Sequence, residues 1–215
     1  MPTYSGVFFR PSSDPARFDA VARLRKTIFV DQRGWDLRTV DGRESDQFDL
    51  PDTVHATLAR RGALVGSFRV RSTSEPYLAD SVFPGLATDR PYPRDADCVE
   101  ISRFGVDRDT AGHEDAVRLY ALMFWYARRR QVRALVALCD PTYERFLRAL
   151  GVRTLRYGPP QTVDLDAFGR PIEVMAGEIP MATQSGPRFQ KLLATCDDME
   201  ISDETSVFGR RRLSA

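Results

Sequence analysis

A three-layer α/β sandwich, with helices on both faces of a twisted mixed sheet, is the fold class this sequence predicts. Three observations lead there. Stretches with helical spacing of apolar residues alternate along the chain with stretches of strand-like spacing. Two alternating runs meet at Arg61-Gly62 as a hairpin, whereas the later strands are separated by helices. At 215 residues and 42% apolar content, the chain can bury one large core without disulfide or metal staples.

Pro15 to Val30 reads as the first helix, with Phe18, Val21, Ala22, Arg25 and Phe29 on one face and Ser13 or Asp14 to cap it. Asp31 to Asp52 has no sustained period and reads as a long ordered loop carrying Trp35, Val40 and Phe48. Thr53 to Arg60 and Ala63 to Val70 are the hairpin strands, and Tyr77 to Leu86 is a short helix. Cys98 to Val106 is strand-like, and strict alternation puts Glu100, Ser102 and Phe104 on one face. Glu114 to Arg130 is a helix, Arg133 to Cys139 a short apolar strand, and Pro141 to Leu150 a helix closed by Gly151. Arg153 to Tyr157 and Ile172 to Ile179 supply further strands, and Pro187 to Cys196 a last helix. One domain over 1–196 is expected, followed by a polar, mobile tail over 197–215. This order of helix, hairpin, strand, helix, strand, helix and strand resembles the N-acetyltransferase layout, the GNAT fold.

The formal charge of +1 argues against nucleic acid or a membrane surface as a bulk electrostatic partner. Cys98, Cys139 and Cys196 are far apart and form no Cys-x-x-Cys pair, so neither a disulfide framework nor a metal site is expected, and a cytoplasmic setting fits. The start MPTYSGVFFRPSSD lacks the pattern of a signal peptide, and the apolar run Tyr120 to Ala127 is too short to span a bilayer.

Against this near-neutral background, Asp41-Gly-Arg-Glu-Ser-Asp-Gln-Phe-Asp49 concentrates acids. By default such a run is a solvated loop. The surrounding residues suggest more. In order, the chain contains Leu24-Arg25, Phe29-Val30, Gly34-Trp35, Gly42-x-Glu44-x-Asp46-Gln47-Phe48-Asp49, Val65-Gly66-Ser67-x-Arg69, Phe83-Pro84 and Val99-Glu100-Ile101-Ser102-Arg103-Phe104. With these motifs the sequence resembles the acyl-homoserine-lactone synthases, the bacterial autoinducer synthases of quorum sensing. Beyond Phe104 the match is looser and reduces to the order of elements.

The resemblance implies an enzyme that joins the amine of S-adenosylmethionine to an acyl group from a thioester, on carrier protein or coenzyme A. It then closes a lactone and releases methylthioadenosine. Both reactants are substrates, and no cofactor is implied. S-adenosylmethionine carries a sulfonium, an amine, a carboxylate and an adenine, so its site needs carboxylates, an arginine and aromatic surface. Asp46 suits the ammonium or sulfonium, and Asp49 a pairing with Arg69 or Arg25. Trp35 and Phe29 can cover cation or ring, Arg25 or Arg103 can hold the carboxylate, and Phe104 belongs to the same substrate set. Glu44 reads as a tie from the loop to an arginine. Glu100 takes, from the resemblance, the role of base toward the amine, directly or through a water, with Ser102 and Arg103 beside it at the reacting centre. Its alternative is a structural ion pair. His55 and His113 read as structural.

For the acyl group, Leu122, Met123, Ala137, Leu138 and Phe146 are the pocket candidates, most of them ordinary core types. Ala137 falls where synthases of 3-oxo products often have Thr, which points to an unsubstituted, branched or aryl chain. Arg108-Asp-Thr-Ala-Gly-His113 departs from the phosphate-cradling glycine pattern of acetyl-CoA enzymes. Arg128, Arg129, Arg130, Arg133, Arg145, Arg148, Arg153 and Arg156 could form a face for an acidic carrier protein or for phosphates. Two other readings remain open: an N-acyltransferase acting on another amine, and a non-catalytic binding module of the same fold. Oligomeric state is not legible.

Overall fold

The computed structural model describes residues 3–205. Its main sheet runs β11, β1, β4, β5, β6, β7, β10, β8, with β9 paired to β10, where β1 is Tyr4–Phe9, β4 Val54–Arg60, β5 Ala63–Ser72, β6 Cys98–Val106, β7 Ala134–Cys139, β8 Leu155–Arg156, β9 Gln161–Leu165, β10 Pro171–Pro180 and β11 Met199–Asp203. Two neighbouring pairs are parallel, β1 with β11 and β6 with β7, and the others antiparallel. Arg61 and Gly62 both have positive φ, the twist that lets a two-residue loop close the β4–β5 hairpin.

Helices cover both faces. On one lies α1, Pro15–Arg25, capped by Asp14, whose carboxylate accepts from Arg17 N at 2.9 Å. The sequence suggests one helix to Val30, but α1 gives way to a π-helical turn over Lys26–Asp31. The wider turn buries both Ile28 and Phe29, which pack with Leu24, Trp35 and Leu37. The short α2, Leu78–Val82, lies on this face too. The other face carries the main core, where α3 (His113–Arg129), α4 (Pro141–Ala149) and α5 (Pro187–Ala194) contribute Leu119, Leu122, Phe124, Leu147, Phe189 and Leu192 against Phe68, Ile101 and Leu135.

Three strands of the main sheet escape sequence reading: β1, β9 and the edge strand β11. β1 is short and alternates weakly. β11 falls in the segment expected as a mobile tail, yet Met199 joins the core and residues 199–203 pair with β1. The domain therefore extends past residue 196, and the rest of that expectation, residues 206–215, lies outside the described residues.

Candidate active site

The acidic loop is more regular than its sequence period suggests. Thr39–Val40 and Arg43–Glu44 pair as β2 and β3 around Asp41-Gly42, both with positive φ. Asp-Gly was the available signal for this hairpin. The next turn fixes its own carboxylates: Asp46 N donates to Asp49 Oδ2 at 2.8 Å, and Phe48 N to Asp46 Oδ1 at 2.9 Å.

Those carboxylates meet three arginines. Arg25 Nε donates to Glu44 Oε2 at 2.5 Å and its Nη1 to Asp49 Oδ1 at 2.8 Å. Arg69 grips Asp46 with both terminal nitrogens, reaches Asp49 Oδ1 at 2.9 Å and donates from Nε to Ser102 Oγ at 3.0 Å. Arg103 Nη2 lies 3.0 Å from Glu44 and 2.9 Å from Asp46. Glu44, Asp46 and Asp49 thus balance Arg25, Arg69 and Arg103 charge for charge. Burial opposes ionisation of Asp49, but Arg25 and Arg69 outweigh it and hold its carboxyl far below the ordinary carboxylate range. Asp46 is likewise lowered, burial being outweighed by Arg69 and Arg103.

The cluster has an inside and an edge. The side chains of Arg25, Glu44, Asp49 and Arg69 are at most 3% exposed, whereas Asp46 and Arg103 are 13% and 10% exposed. Arg25, Arg69 and Asp49, expected against substrate, are sealed in the frame. Asp46 and Arg103 are the members of the frame that solvent reaches. Beside them Phe29 and Trp35 stack at 5.2 Å, with the Arg103 guanidinium 6.0 Å from the Phe29 ring.

A β-bulge aims Arg103. Arg69 pairs with Ser102 and Ser67 with Gly105, so Arg103 and Phe104 together oppose Phe68. Arg103 takes φ 51, a left-handed conformation that costs a non-glycine residue on the order of 1 kcal/mol. The extra residue puts Arg103 on the same face as Ser102 and flips the phase beyond it. Phe104, expected with Glu100 and Ser102, therefore lies on the opposite face, 5.8 Å from Phe68 and 4.3 Å from Tyr120. Simple alternation cannot anticipate the extra residue.

Glu100 is fully buried and has no arginine partner within ion-pair distance among the described residues. Its two oxygens accept from Leu78 N at 3.1 Å and Ala79 N at 2.7 Å, at the start of α2. Burial pushes its pKa up, against the pull of those two donors. His55, also fully buried, lies 3.6 Å from Asp49 between Phe9 and Phe18, and burial drives its pKa down to about 3.

The acyl candidates divide between the faces. Leu122, Met123 and Phe146 share the main core. Ala137 pairs with Ile101 at the last position where β6 and β7 are joined, although β6 continues to Val106 and β7 to Cys139. The two parallel strands thus part at Ala137 and leave a gap through the sheet. Leu138, one residue on, faces the other way and packs with Tyr77, Ala79 and Tyr157. Arg33, beside Trp35, donates to the Tyr143 hydroxyl of α4, and its guanidinium lies 5.6 Å from the Trp35 ring. The arginine-rich stretch is less free than its sequence suggests: Arg130, Arg133, Arg148 and Arg156 pair with Asp203, Asp95 and Glu144.

Comparison with known proteins follows the same lines. Residues 12–168 match the family model described as autoinducer synthase. An acyl-homoserine-lactone synthase of Aeromonas salmonicida is 32% identical over 151 residues, 67% of this chain and 73% of that protein. The solved structure of TofI in a ternary complex with an inhibitor and MTA superposes with TM-score 0.71 at 30% identity, covering 88% of this chain and 96% of the other. The fold alone is shared with a putative N-acetyltransferase from Lactobacillus plantarum, at TM-score 0.56 and 18% identity, over 83% of this chain and 99% of that one. On the extent of the family match and the identity to its relatives, the chain belongs to the autoinducer synthase family.

Proposed function

We propose that this protein is an acyl-homoserine-lactone synthase. It transfers an acyl group from a thioester to the amine of S-adenosylmethionine, then closes the lactone with release of methylthioadenosine. The observation that carries this reading is the neutral Arg–carboxylate frame with two solvent-reached members, Asp46 and Arg103, beside stacked Phe29 and Trp35. One acid and one base suit the amine and carboxylate of an amino acid, and the aromatic pair suits a sulfonium nucleoside. Arg25, Glu44, Asp49 and Arg69 hold that pair in place rather than touching substrate.

Acyl transfer needs the amine in its neutral form. Glu100 takes the proton through a water, since its oxygens already receive two backbone N–H groups and each retains a lone pair. The amine attacks the thioester carbonyl, and the thiol leaves through the gap between β6 and β7. The substrate's own carboxylate then attacks its γ-carbon and expels a neutral thioether. Holding that chain curled supplies much of the rate, because the reacting groups are already on one molecule. Ala137, at the apex of the gap, offers no hydroxyl to a 3-oxo group, so an unsubstituted, branched or aryl chain is the product we expect.

Both substrates place the reaction in the cytoplasm, and no described helix is long and apolar enough to cross a membrane. The test is release of methylthioadenosine and of free thiol that each require both substrates, with the lactone identified by mass spectrometry. Thiol release with another amine and no methylthioadenosine would favour the N-acyltransferase reading. Binding of both substrates without turnover would favour a non-catalytic module.

A further inference from the structure

His55 reads from the sequence as structural, and two of its neighbours are apolar. Its ring lies 5.8 Å from the Phe9 ring and 5.0 Å from the Phe18 ring, and the residue is fully buried. Space-filling alone does not account for an imidazole there. Both of its ring nitrogens are buried without a hydrogen-bond partner among the described residues, a cost that an apolar ring would avoid. A buried polar group of this kind calls for a partner in some state of the protein.

The strands set His55 in the frame's own row. His55 of β4 pairs with Arg69 of β5, and Arg69 pairs with Ser102 of β6, so the three share one face of the sheet. His55 Nε2 lies 3.6 Å from Asp49 Oδ1, too far for a hydrogen bond. That oxygen is already in use: it accepts from Arg25 Nη1 at 2.8 Å and from Arg69 Nη1 at 2.9 Å. Burial keeps the imidazole neutral, and the carboxylate beside Nε2 selects the tautomer that carries its hydrogen there. His55 is thus a neutral donor held just short of an occupied acceptor.

The occupancy of that acceptor depends on Asp46. Arg69 Nη1 is divided between two carboxylates, since the same nitrogen donates to Asp46 Oδ1 and to Asp49 Oδ1. In the proposed function Asp46 receives the amine of S-adenosylmethionine. Asp46 moving toward that amine draws Arg69 Nη1 with it and weakens its bond to Asp49. Asp49 is enclosed, its side chain 3% exposed, so a lost donor there is not replaced by bulk water. A shift of less than about 1 Å brings His55 Nε2 within hydrogen-bond distance of the same oxygen.

From this arrangement we infer that His55 is a positioning residue of the S-adenosylmethionine site: its Nε2–H donates to Asp49 when the substrate amine engages Asp46, and so holds Asp49 and Arg69 in place behind the bound substrate. It touches no reacting atom and acts through Asp49 and Arg69. The inference rests on the assignment of Asp46 to the substrate amine.

The experiment uses the two histidines of the chain, His55 and His113. Nitrogen-isotope labelling of histidine makes both imidazoles visible by magnetic resonance, and His113→Gln assigns them. Saturating S-adenosylmethionine, with no acyl donor present, should move the His55 Nε2–H signal downfield and slow its exchange with solvent, leaving His113 unchanged. By calorimetry, His55→Phe should bind S-adenosylmethionine about fivefold more weakly than the wild type, the worth of one neutral hydrogen bond. His55→Gln keeps a side-chain N–H donor and should recover most of that loss. In turnover the effect should fall on the KM for S-adenosylmethionine and spare kcat and the KM for the acyl donor. Melting temperatures check that both variants are folded. A His55 signal that saturating substrate leaves unmoved, or a folded His55→Phe with wild-type affinity, would overturn the inference, as would His55→Gln binding as weakly as His55→Phe. Failure of the wild type to bind S-adenosylmethionine is a different result: it would overturn the proposed function, and this inference with it.

Discussion

Asp46 and Asp49 stand three residues apart in one turn and do different work. Asp49 is enclosed between Arg25 and Arg69, so Asp49→Asn leaves two buried guanidiniums short of a carboxylate. It should cost about 3–5 kcal/mol in urea unfolding. Asp46 is reached by solvent. Asp46→Asn should cost less stability while raising the KM for S-adenosylmethionine, measured by methylthioadenosine release. Glu100→Gln should lower kcat far more than it raises either KM, because it keeps the contacts to α2 poorly but removes the base. A wild-type rate in that variant would remove Glu100 from the chemistry. In the wild type the acid limb of the rate should lie above the ordinary glutamate range, since burial raises the pKa of this carboxyl and only its ionised form accepts a proton. His55 gives a separate pH effect. Its folded pKa of about 3 lies below the unfolded value of 6.5, so the stabilisation from keeping it neutral is complete above pH 6.5 and is lost as pH falls toward 3. Stability should therefore begin to fall above the pH range in which carboxylates titrate. His55→Phe, placed between Phe9 and Phe18, should flatten that part of the curve.

Among the elements, the π-helical turn and the loop after it connect the frame to the mouth. Gly34 has φ +69, and a Cβ there would lie 2.8 Å from the Phe168 ring and 3.3 Å from Ala167 N. Gly34→Ala meets strain in the backbone and crowding against the hairpin tip at once. It should weaken S-adenosylmethionine binding several-fold through displaced Trp35, with a melting temperature only a few degrees lower. Unchanged affinity would mean that the hairpin and the Trp35 loop are independent. Helix α1 was legible from its apolar face and its cap, but its change to π geometry was not. That change depends on Ile28 and Phe29 both finding burial against Gly105 and Trp35, which lies beyond any local period. The β6 bulge is similar: nothing near Arg103 marks a left-handed residue, and the conformation exists because Glu44 and Asp46 wait on one face while Phe68 and Tyr120 hold Phe104 on the other.

At the scale of the whole molecule, the sheet is completed at one edge by the last described strand of the chain. β11 pairs with β1, and Met199 enters the core. A chain ending at residue 197 should melt at a clearly lower temperature than one ending at residue 205, because it loses a strand partner and buried apolar surface together. Equal melting temperatures would show that β11 adds nothing to the fold. Polar composition concealed this strand, since an edge strand with one open face needs few apolar residues.

The amino-acid sequence by itself determined the alternation of strands and helices and the membership of Arg25, Asp46, Asp49, Arg69, Glu100 and Arg103 in one ordered set of motifs. Local periods and spaced motifs are properties of the chain read in one dimension. Only the tertiary structure decided which of these residues are enclosed and which solvent reaches, and that Phe104 and Leu138 face away from the groups beside them in sequence. It also decided that β6 and β7 part beyond Ala137 and that Arg33 reaches Tyr143 of α4. The physical reason is that burial, ion pairing and strand register are set by partners tens of residues distant, and a single inserted residue in β6 reverses every side chain beyond it.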